Sequence, residues 1–380
     1  MFLINRIWKF IRNLSIFVLI VSVLIPFRYG SINPQYLRVR CIHSFLSLTY
    51  TFIKDENRPT LSADYRAFET LLRLKPLVEL DPLADPKSVI KEIRSAFTLS
   101  VIVPKPTLCQ VKKQIYTHQG HTVDAYWVNH HRTNEQFNTK NIVIYLHGGA
   151  YLAGDIHSYS GYECYLSHLF NMSLIHLEYR LAPEHPLPSA VDDAVTLYNA
   201  LVQQENISSS HITIMGDSAG GGLALLTVQS LISQQYSIPR SVILISPWTD
   251  LSSSGQSYIR NRLVDVLIRP ESLTWGIKQV LGHNHEQIKR DDPIYSPLFG
   301  SFEGFPSMYI TVGTAEMLED DSRQVVEKAK QVGIDVILEE GIDLAHAYPL
   351  FYLYYPEARN TLNNIKDWIE KNSISYEFPL

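Results

Sequence analysis

The chain of 380 residues is long enough for two or three domains, or for one α/β domain with a cap. Its hydrophobic content of 46% and charged content of 19% supply a large core and argue against disorder. A net charge of −5 without a basic block argues against nucleic acid as a partner. The three cysteines, Cys41, Cys109 and Cys164, lack the spacing of a metal site and allow at most one intramolecular disulfide.

Residues 1–30 are predicted to form an uncleaved signal anchor that joins the protein to a membrane. Within them, residues 14–27 run without a charge, and basic residues precede this run. The run is shorter than the roughly 20 residues that a spanning helix prefers, but no cleavage-site pattern follows it. A cleaved signal peptide, and hence a secreted protein, is the alternative.

The distribution of charge predicts the side of the membrane. The basic cluster nearer to the apolar run lies on its N-terminal side, which favours a cytosolic N-terminus. Asn171 and Asn206 begin glycosylation sequons of the kind that a lumenal glycoprotein carries. We therefore expect a single-pass protein of the endoplasmic reticulum membrane, with its main domain in the lumen.

Residues 31–104 are expected to form a mostly helical region. Residues 71–76 and 89–97 combine apolar and charged residues in amphipathic patterns. The residues themselves leave two interpretations open, a linker whose helices pack anywhere and part of a cap over a binding site.

From about residue 105 to residue 380, strand and helix patterns alternate. Apolar runs predict strands at residues 110–117, 122–128, 142–146, 174–179, 212–215, 242–245, 308–312 and 335–338. Helical patterns fill several intervals, including residues 159–170, 188–204, 223–234 and 322–332. This alternation predicts an α/β fold with a mostly parallel sheet and helices on both faces. Ligands of such sheets bind outside the carboxyl ends of the strands.

One of those strand ends carries a candidate nucleophile, Ser218. The strand at residues 212–215 is followed at once by Gly-Asp-Ser-Ala-Gly and then by an apolar helical pattern. In this arrangement, a serine sits on a sharp, strained turn that presents its hydroxyl outward. Side chains at Gly216 and Gly220 would collide with neighbouring elements. The alternative is a glycine-rich turn whose serine only caps the helix.

A second strand end carries candidate oxyanion donors. An apolar strand leads into the sequence His-Gly-Gly-Ala, which begins at His147. Glycines allow the backbone amides of Gly148 and Gly149 to turn toward a substrate, and Ala219, directly after Ser218, would supply a third amide. We expect His147 to be a structural hydrogen-bonding residue rather than a base, because it lies in the loop that wraps the oxyanion.

A late histidine and a preceding acid complete the pattern. His346 follows the last predicted strand, and the chain order of nucleophile, acid and histidine requires a late histidine. The strand at residues 308–312 is followed by four candidate acids: Glu316, Glu319, Asp320 and Asp321. For at least one of the last two, the structural alternative is a charge that faces the dipole of a helix N-terminus.

Three motifs in this order resemble the hormone-sensitive-lipase-like family of α/β-hydrolases. In chain order they are His-Gly-Gly-Ala from residue 147, Tyr-Arg-Leu-Ala-Pro-Glu-His-Pro-Leu-Pro-Ser-Ala-Val-Asp-Asp-Ala at residues 179–194, and Gly-Asp-Ser-Ala-Gly-Gly from residue 216. The resemblance covers about residues 105–370, and the combination is highly specific. With the predicted anchor, the chain looks most like the arylacetamide deacetylase and fungal steryl acetyl hydrolase branch.

The resemblance implies a fold and a choice of acid. It implies an α/β-hydrolase fold without a cofactor or metal, and a cap formed by part of residues 31–104 and an insertion at about residues 252–292. Family members usually have an aspartate at the position of Glu316. The chain would therefore use a glutamate there, with Asp320 as the alternative acid.

The resemblance also implies a chemistry, that of a serine esterase. Ser218, His346 and the acid would hydrolyse acetyl or other short-acyl esters of lipophilic alcohols such as sterols. A hydrophobic ester and the membrane are thus the expected partners. Hydrolysis of an amide or of a longer lipid ester is one alternative. A small-molecule receptor is another, but such receptors look like enzymes that lost the histidine, and His346 is present.

Overall fold

The computed structural model describes residues 33–74, 85–97, 99–129 and 138–375. The predicted signal anchor at residues 1–30 lies outside the described residues. In the part of the chain that is described, no helix is both long and apolar enough to cross a lipid bilayer.

Among the described residues, eight strands form one sheet in the order β1-β2-β4-β3-β5-β6-β7-β8. They are β1 (Val111–His118), β2 (His121–Val128), β3 (Asn138–Leu146), β4 (Met172–Glu178), β5 (Ile212–Asp217), β6 (Ser241–Ile245), β7 (Ser307–Gly313) and β8 (Val336–Gly341). β1 pairs with β2, and β2 with β4, in antiparallel fashion, whereas the other neighbours are parallel. The predicted α/β fold with a mostly parallel sheet is confirmed.

The described helices cover both faces of the sheet. They are α1 (Pro34–Phe52), α2 (Ala63–Leu74), α3 (Pro86–Ala96), α4 (Leu99–Ile102), α5 (Ile156–Phe170), α6 (Ser189–Gln203), α7 (Ala219–Ser233), α8 (Ser257–Arg260), α9 (Pro270–Leu281), α10 (Glu319–Gln331) and α11 (Pro356–Ser375). Successive strand residues point to opposite faces, so Ile144 and Ile214 belong to one core cluster and Val143 and Met215 to the other. Helices α6, α7 and α10 close the first cluster, and α1, α2, α5 and α11 close the second.

The central strands are apolar throughout because both of their faces are covered. All residues of β5 and β6 are buried. This is the pattern expected for parallel strands between two layers of helices. The carboxyl ends of β3, β5, β7 and β8 lie at one edge of the sheet, so the loops that leave these strands meet there.

The N-terminal helices pack near the end of the chain and near the loop after β3. In α2, the ring of Tyr65 lies 5.1 Å from that of Tyr355 in an edge-on contact. In α3, Arg94 Nε donates a hydrogen bond to the carbonyl oxygen of Leu152 at 2.8 Å. The first described helices therefore contact the elements that surround the candidate site.

A disulfide joins Cys109 to Cys164. Cys109 precedes β1 and Cys164 lies in α5, so the bond fastens the segment that enters the sheet to a helix of the second core cluster. Cys41 in α1 has a free thiol. The cysteine count allowed one such bond without identifying its partners.

Candidate active site

Ser218 lies on the tight turn between β5 and α7. Its backbone angles are φ 53° and ψ −122°, a combination that costs energy for any residue with a side chain. A Cβ atom at Gly216 would collide with the Gly220 carbonyl, and one at Gly220 would collide with the Leu146 carbonyl. Both flanking glycines are therefore required by close backbone approaches, as the motif predicts.

His346 and Glu316 meet at the same edge of the sheet. His346 Nδ1 donates to Glu316 Oε1 at 3.1 Å. Glu316 follows β7 and is fully buried, and His346 follows β8 and is 7% exposed. Of the two acids considered for this position, the structure brings Glu316 to the histidine.

Glu316 is fixed by further hydrogen bonds. Its second oxygen, Oε2, accepts from Ser246 Oγ at 2.7 Å and from the Gly313 amide at 3.0 Å. Ser246 Oγ in turn accepts from the Ala347 amide at 3.0 Å. Ser246 thus links the acid to the residue that follows His346.

The charges around His346 raise its affinity for a proton. Burial lowers the pKa of His346, but the charge and hydrogen bond of Glu316, with the charges of Asp265 and Asp217, outweigh burial and raise the pKa. The side-chain hydrogen bond that His346 makes within the described residues goes to Glu316 and not to Ser218. The imidazolium, once formed, is therefore stabilised by this acid.

Asp320 and Asp321 lie in the first turn of α10 and have other partners. Asp320 accepts from the Ser257 amide at 2.8 Å and from Arg260 at 3.0 Å. The buried Asp321 accepts from the amides of Thr249 and Asp250 at 2.7 Å and 3.0 Å. Both aspartates connect the start of α10 to the segment after β6, and neither bonds the histidine.

The amide of Gly148 is occupied inside the protein. It donates to Asp217 Oδ1 at 3.0 Å and to the hydroxyl oxygen of Tyr159 at 3.1 Å. This corrects the expectation that Gly148 supplies an oxyanion donor, because a hydrogen-bonded amide that points into the core does not face a substrate. Gly148 instead anchors the loop.

The backbone amides of Gly149, Ala150 and Ala219 are not used in hydrogen bonds within the described residues. Gly149 has φ 114° and Ala150 has φ 56°, so the backbone turns left-handed directly after Gly148. Neither the Gly149 nor the Ala150 amide donates a hydrogen bond to another described residue. Ala219 is the first residue of α7, where amides have no partner within the helix. Ala150 was not among the residues expected from the sequence.

Asp217 is a site residue that sequence reasoning missed. Its fully buried carboxylate accepts from Tyr145 at 2.7 Å and Tyr159 at 3.0 Å, in addition to the Gly148 amide. Burial raises the pKa of Asp217 to about 6, although these three bonds act in the opposite direction. The residue occupies a variable position of the Gly-x-Ser-x-Gly motif, so its only sequence signal is its place beside Ser218.

Two polar residues tie the segment after β6 to the loop that carries Glu316. Asn261 Nδ2 donates to the Glu316 carbonyl oxygen at 2.8 Å, and the Met317 amide donates to Asp265 Oδ2 at 2.8 Å. This contact places Asp265 where its charge acts on His346. Within the described ranges, no cluster of three or more His, Cys, Asp or Glu side chains could hold a metal ion.

The arrangement of strand ends and loops matches a known family. Residues 143–350, more than half of the chain, match a family model described as the alpha/beta hydrolase fold. The chain belongs to the α/β-hydrolase family. The predicted fold is thereby confirmed at the level of the family as well as of the sheet.

Named relatives of this α/β-hydrolase are ester hydrolases. An esterase of Acinetobacter venetianus is 33% identical over 261 residues, which cover 69% of this chain and 85% of the relative. An acetyl-hydrolase of Streptomyces hygroscopicus is 32% identical over 220 residues, which cover 58% of this chain and 72% of the relative. The protein is accordingly a carboxylic ester hydrolase.

Solved structures agree with this assignment. The esterase EstE5, in a crystal soaked with ethyl alcohol, has a TM-score of 0.73 and 28% identity, covering 82% of this chain and 99% of EstE5. An esterase from the bacterial hormone-sensitive lipase family has a TM-score of 0.72 and 25% identity, again covering 82% of this chain and 99% of that one. These similarities support the predicted relationship to hormone-sensitive-lipase-like hydrolases.

The comparisons overturn the predicted localisation. The named relatives come from Acinetobacter and Streptomyces, which are bacteria and have no endoplasmic reticulum. The prediction of a single-pass protein of the endoplasmic reticulum membrane is therefore wrong. Without that compartment, the two glycosylation sequons no longer indicate a lumenal glycoprotein.

Proposed function

We propose that this ester hydrolase uses Ser218 as its nucleophile, His346 as its general base and Glu316 as the acid that orients the histidine. The observation that carries the proposal is the hydrogen bond between Glu316 and His346 at the edge where a strained turn presents Ser218. Because His346 Nδ1 is engaged by the acid, its Nε2 is left for the serine hydroxyl.

The reaction is an acyl transfer from an ester to water. His346 takes the hydroxyl proton as Ser218 Oγ attacks the ester carbonyl, and then gives it to the departing alcohol. Water repeats the two steps on the acyl-enzyme. The hydrogen bond between Ser218 and His346 forms when substrate fills the site, since such bonds commonly tighten only in the complex.

Three backbone amides are proposed to hold the developing oxyanion, those of Gly149, Ala150 and Ala219. Gly149 and Ala219 are retained from the sequence, and Ala150 replaces Gly148 because the Gly148 amide already has two acceptors. Loss of one such donor typically costs ~2.7–4 kcal/mol of transition-state stabilisation.

We propose acetyl and other short-acyl esters of lipophilic alcohols, such as sterols, as substrates. The acyl part is supported by the acetyl-hydrolase among the relatives. The sterol part rests only on the resemblance of the sequence motifs to the arylacetamide deacetylase and steryl acetyl hydrolase branch. Turnover of a steryl acetate at a rate no higher than that of the matching long-chain steryl ester would reject this choice.

Two chain segments are proposed to form the cap over the site, part of residues 31–104 and residues at about 252–292. Support comes from contacts with the loop that follows β3. Arg94 of α3 bonds the Leu152 carbonyl oxygen, and Gly276 of α9 lies beside the Leu152 side chain. A cap built in this way would control which alcohol reaches Ser218.

Contact with a lipid surface through the N-terminal segment is a separate proposal. The uncharged run at residues 14–27 lies outside the described residues, but it leads into α1, which exposes the apolar side chains of Ile42, Phe45, Leu48 and Phe52. Flotation of the full chain with phosphatidylcholine vesicles tests it. A Phe45→Ser, Phe52→Ser variant should float less, and equal flotation of both proteins would contradict the proposal.

The catalytic proposal is tested by turnover of p-nitrophenyl acetate by the full chain. Wild type should turn over, and Ser218→Ala should lose about 10⁴-fold or more in kcat. Equal turnover by both proteins would remove Ser218 from the mechanism. Binding of the ester without turnover by wild type would instead favour the alternative, a receptor on the same fold.

A further inference from the structure

A buried cluster of charged side chains lies directly behind the proposed oxyanion loop. Glu163 of α5 and His176 of β4 are both fully buried, and His176 Nδ1 donates to Glu163 Oε1 at 2.6 Å. On the other side of the ring, His176 Nε2 lies 3.5 Å from Glu178 Oε2. The mechanism proposed above uses none of these three residues.

The two carboxylates favour the protonated form of His176. Burial lowers the pKa of His176, but Glu163 and Glu178 outweigh it and raise the pKa to about 9. This pairing favours the imidazolium form of the ring. A carboxylate as deeply buried as Glu163 requires such a cation, because an unpaired buried charge is strongly unfavourable.

The neighbour of this imidazolium is His147, the residue that begins the oxyanion loop. The rings of His147 and His176 are nearly parallel, at 10°, with their centroids 5.3 Å apart. The ring of His147 also stacks on that of Tyr179, with the centroids 4.2 Å apart. His147 Nδ1 donates to the Gly148 carbonyl oxygen at 2.8 Å, as expected for a structural hydrogen-bonding residue.

This last hydrogen bond controls the direction of an oxyanion donor. The Gly148 carbonyl and the Gly149 N–H belong to one peptide plane and point in opposite directions across it. A bond that holds the carbonyl toward His147 therefore turns the Gly149 N–H away from the core. The bond exists only while His147 carries a proton on Nδ1.

A neutral His147 is consistent with its surroundings. Burial lowers the pKa of His147 to about 4, and the charge of His176 adds to this effect, whereas Glu178 and Asp155 oppose it. His147 Nε2 is buried and has no hydrogen-bond partner within the described residues. A proton placed on Nε2 would find no acceptor there.

We propose that His176 is a positioning residue for the oxyanion loop. Held between Glu163 and Glu178, its ring stacks against His147 and so fixes the ring whose Nδ1–H bond orients the peptide that presents the Gly149 amide. The proposal rests on the assignment of Gly149 as an oxyanion donor. It assigns to Glu163, His176 and Glu178 a role in the rate of acyl transfer and not only in folding.

The cluster should make the loop sensitive to alkaline pH. The groups that face His176 are Glu163 from α5, Glu178 from β4, His147 from the loop after β3 and the ring of Tyr126 from β2 at 6.2 Å. A raised pKa in the folded state stabilises the protonated form. Its contribution is complete below the usual value of 6.5 and is lost as the pH rises through about 9. Loss of the charge weakens the bonds that hold the His176 ring between the two carboxylates, so kcat should fall above that pH.

The test compares the full-length wild type with His176→Asn, which keeps a donor toward Glu163 but has no charge. Glu339→Gln is the control, since Glu339 bonds Thr361 and Asn364 far from the loop. With p-nitrophenyl acetate, His176→Asn should lose about 10-fold in kcat, less than the loss of a whole donor, with little change in KM. It should also lose the alkaline decline near pH 9. A kcat within about twofold of wild type, with the decline retained, would overturn the proposal.

Two further measurements keep the result interpretable. Nitrogen-15 NMR of histidine-labelled protein should show His147 neutral with its proton on Nδ1 in wild type, and altered in His176→Asn. Unchanged His147 signals would contradict the proposal whether or not Ser218 proves to be the nucleophile. If His176→Asn does not fold, Glu178→Gln takes its place. Its alkaline decline should move to lower pH, and an unmoved decline would count against the proposal.

Discussion

At the scale of single residues, Glu316 is a glutamate at a position where the family resemblance predicts an aspartate. One oxygen bonds His346, while the other accepts from Ser246 and from the Gly313 amide. The additional methylene lets the carboxylate reach across from the end of β7 to a histidine after β8. The two donors on the second oxygen compensate for the flexibility that the longer side chain brings.

Glu316→Gln should therefore affect catalysis far more than folding. The amide keeps the shape but no longer fixes the histidine tautomer or stabilises the imidazolium, so kcat should fall by about 10³- to 10⁴-fold. The measurement is kcat for p-nitrophenyl acetate, with Asp320→Asn as the matched control. An Asp320→Asn loss larger than that of Glu316→Gln would reassign the acid.

The pH dependence of kcat/KM tests the interaction between Glu316 and His346. The base acts only when neutral, so activity should fall as the pH drops through the pKa of His346, which Glu316 holds above the usual 6.5. A raised pKa also means that the pair stabilises the fold fully below pH 6.5 and loses this contribution as the pH rises through the folded value. In Glu316→Gln, the acid limb should move to lower pH. A limb that stays in place would exclude this coupling.

At the scale of elements, the turn between β5 and α7 depends on the absence of a side chain at Gly220. A Cβ atom there would overlap the backbone oxygen of Leu146 in β3, which cannot move without disturbing the sheet. Gly220→Ala should lower the free energy of unfolding by about 1–3 kcal/mol or more.

The control for this substitution is Gly276→Ala in α9. A Cβ atom at Gly276 would lie 3.7 Å from the Leu152 side chain, an ordinary contact, and alanine favours a helix by roughly 0.5–1 kcal/mol over glycine. Urea denaturation of both variants checks the pair. Equal stability of the two proteins would show that the turn tolerates a side chain.

The helices and strands around the site are largely predictable from the sequence, whereas the identity of the oxyanion donor amides is not. Apolar runs and the glycine-flanked serine identify β5, Ser218 and α7 because burial on both faces and close backbone approach leave local signals. Which amide faces a substrate depends instead on the direction of the Gly148 N–H group. Its acceptors, Asp217 and Tyr159, come from other parts of the chain. Contacts of that kind leave no pattern in a single sequence.

The same limit applies to the acid and to the buried cluster. Four carboxylates follow β7, and only the paths of the loops after β7 and β8 bring one of them, Glu316, to His346. Glu163 and His176 are 13 residues apart in the chain and meet only because α5 packs on β4. Neither residue belongs to a recognisable motif.

At the scale of the whole molecule, the disulfide between Cys109 and Cys164 joins the segment before β1 to α5. The two cysteines are 55 residues apart in the chain. Closing a loop of this length restricts the unfolded chain and typically contributes about 2–4 kcal/mol. Cys109→Ser should therefore lower the unfolding temperature under non-reducing conditions, whereas Cys41→Ser should change it little. Reductant should destabilise wild type but not Cys109→Ser. Equal behaviour of the two variants would contradict this role.

The fold as a whole accounts for the site. Ser218, Glu316 and His346 come from distant parts of the chain, and the parallel strands that precede them place all three at one edge of the sheet. The most direct test of this account is to map the adduct of a fluorophosphonate on the full-length protein by peptide mass spectrometry. The account predicts a single phosphonylated peptide that carries Ser218, formed at least about 10³-fold more slowly in His346→Ala. An adduct on another residue, or labelling of Ser218 at the same rate without the histidine, would contradict it.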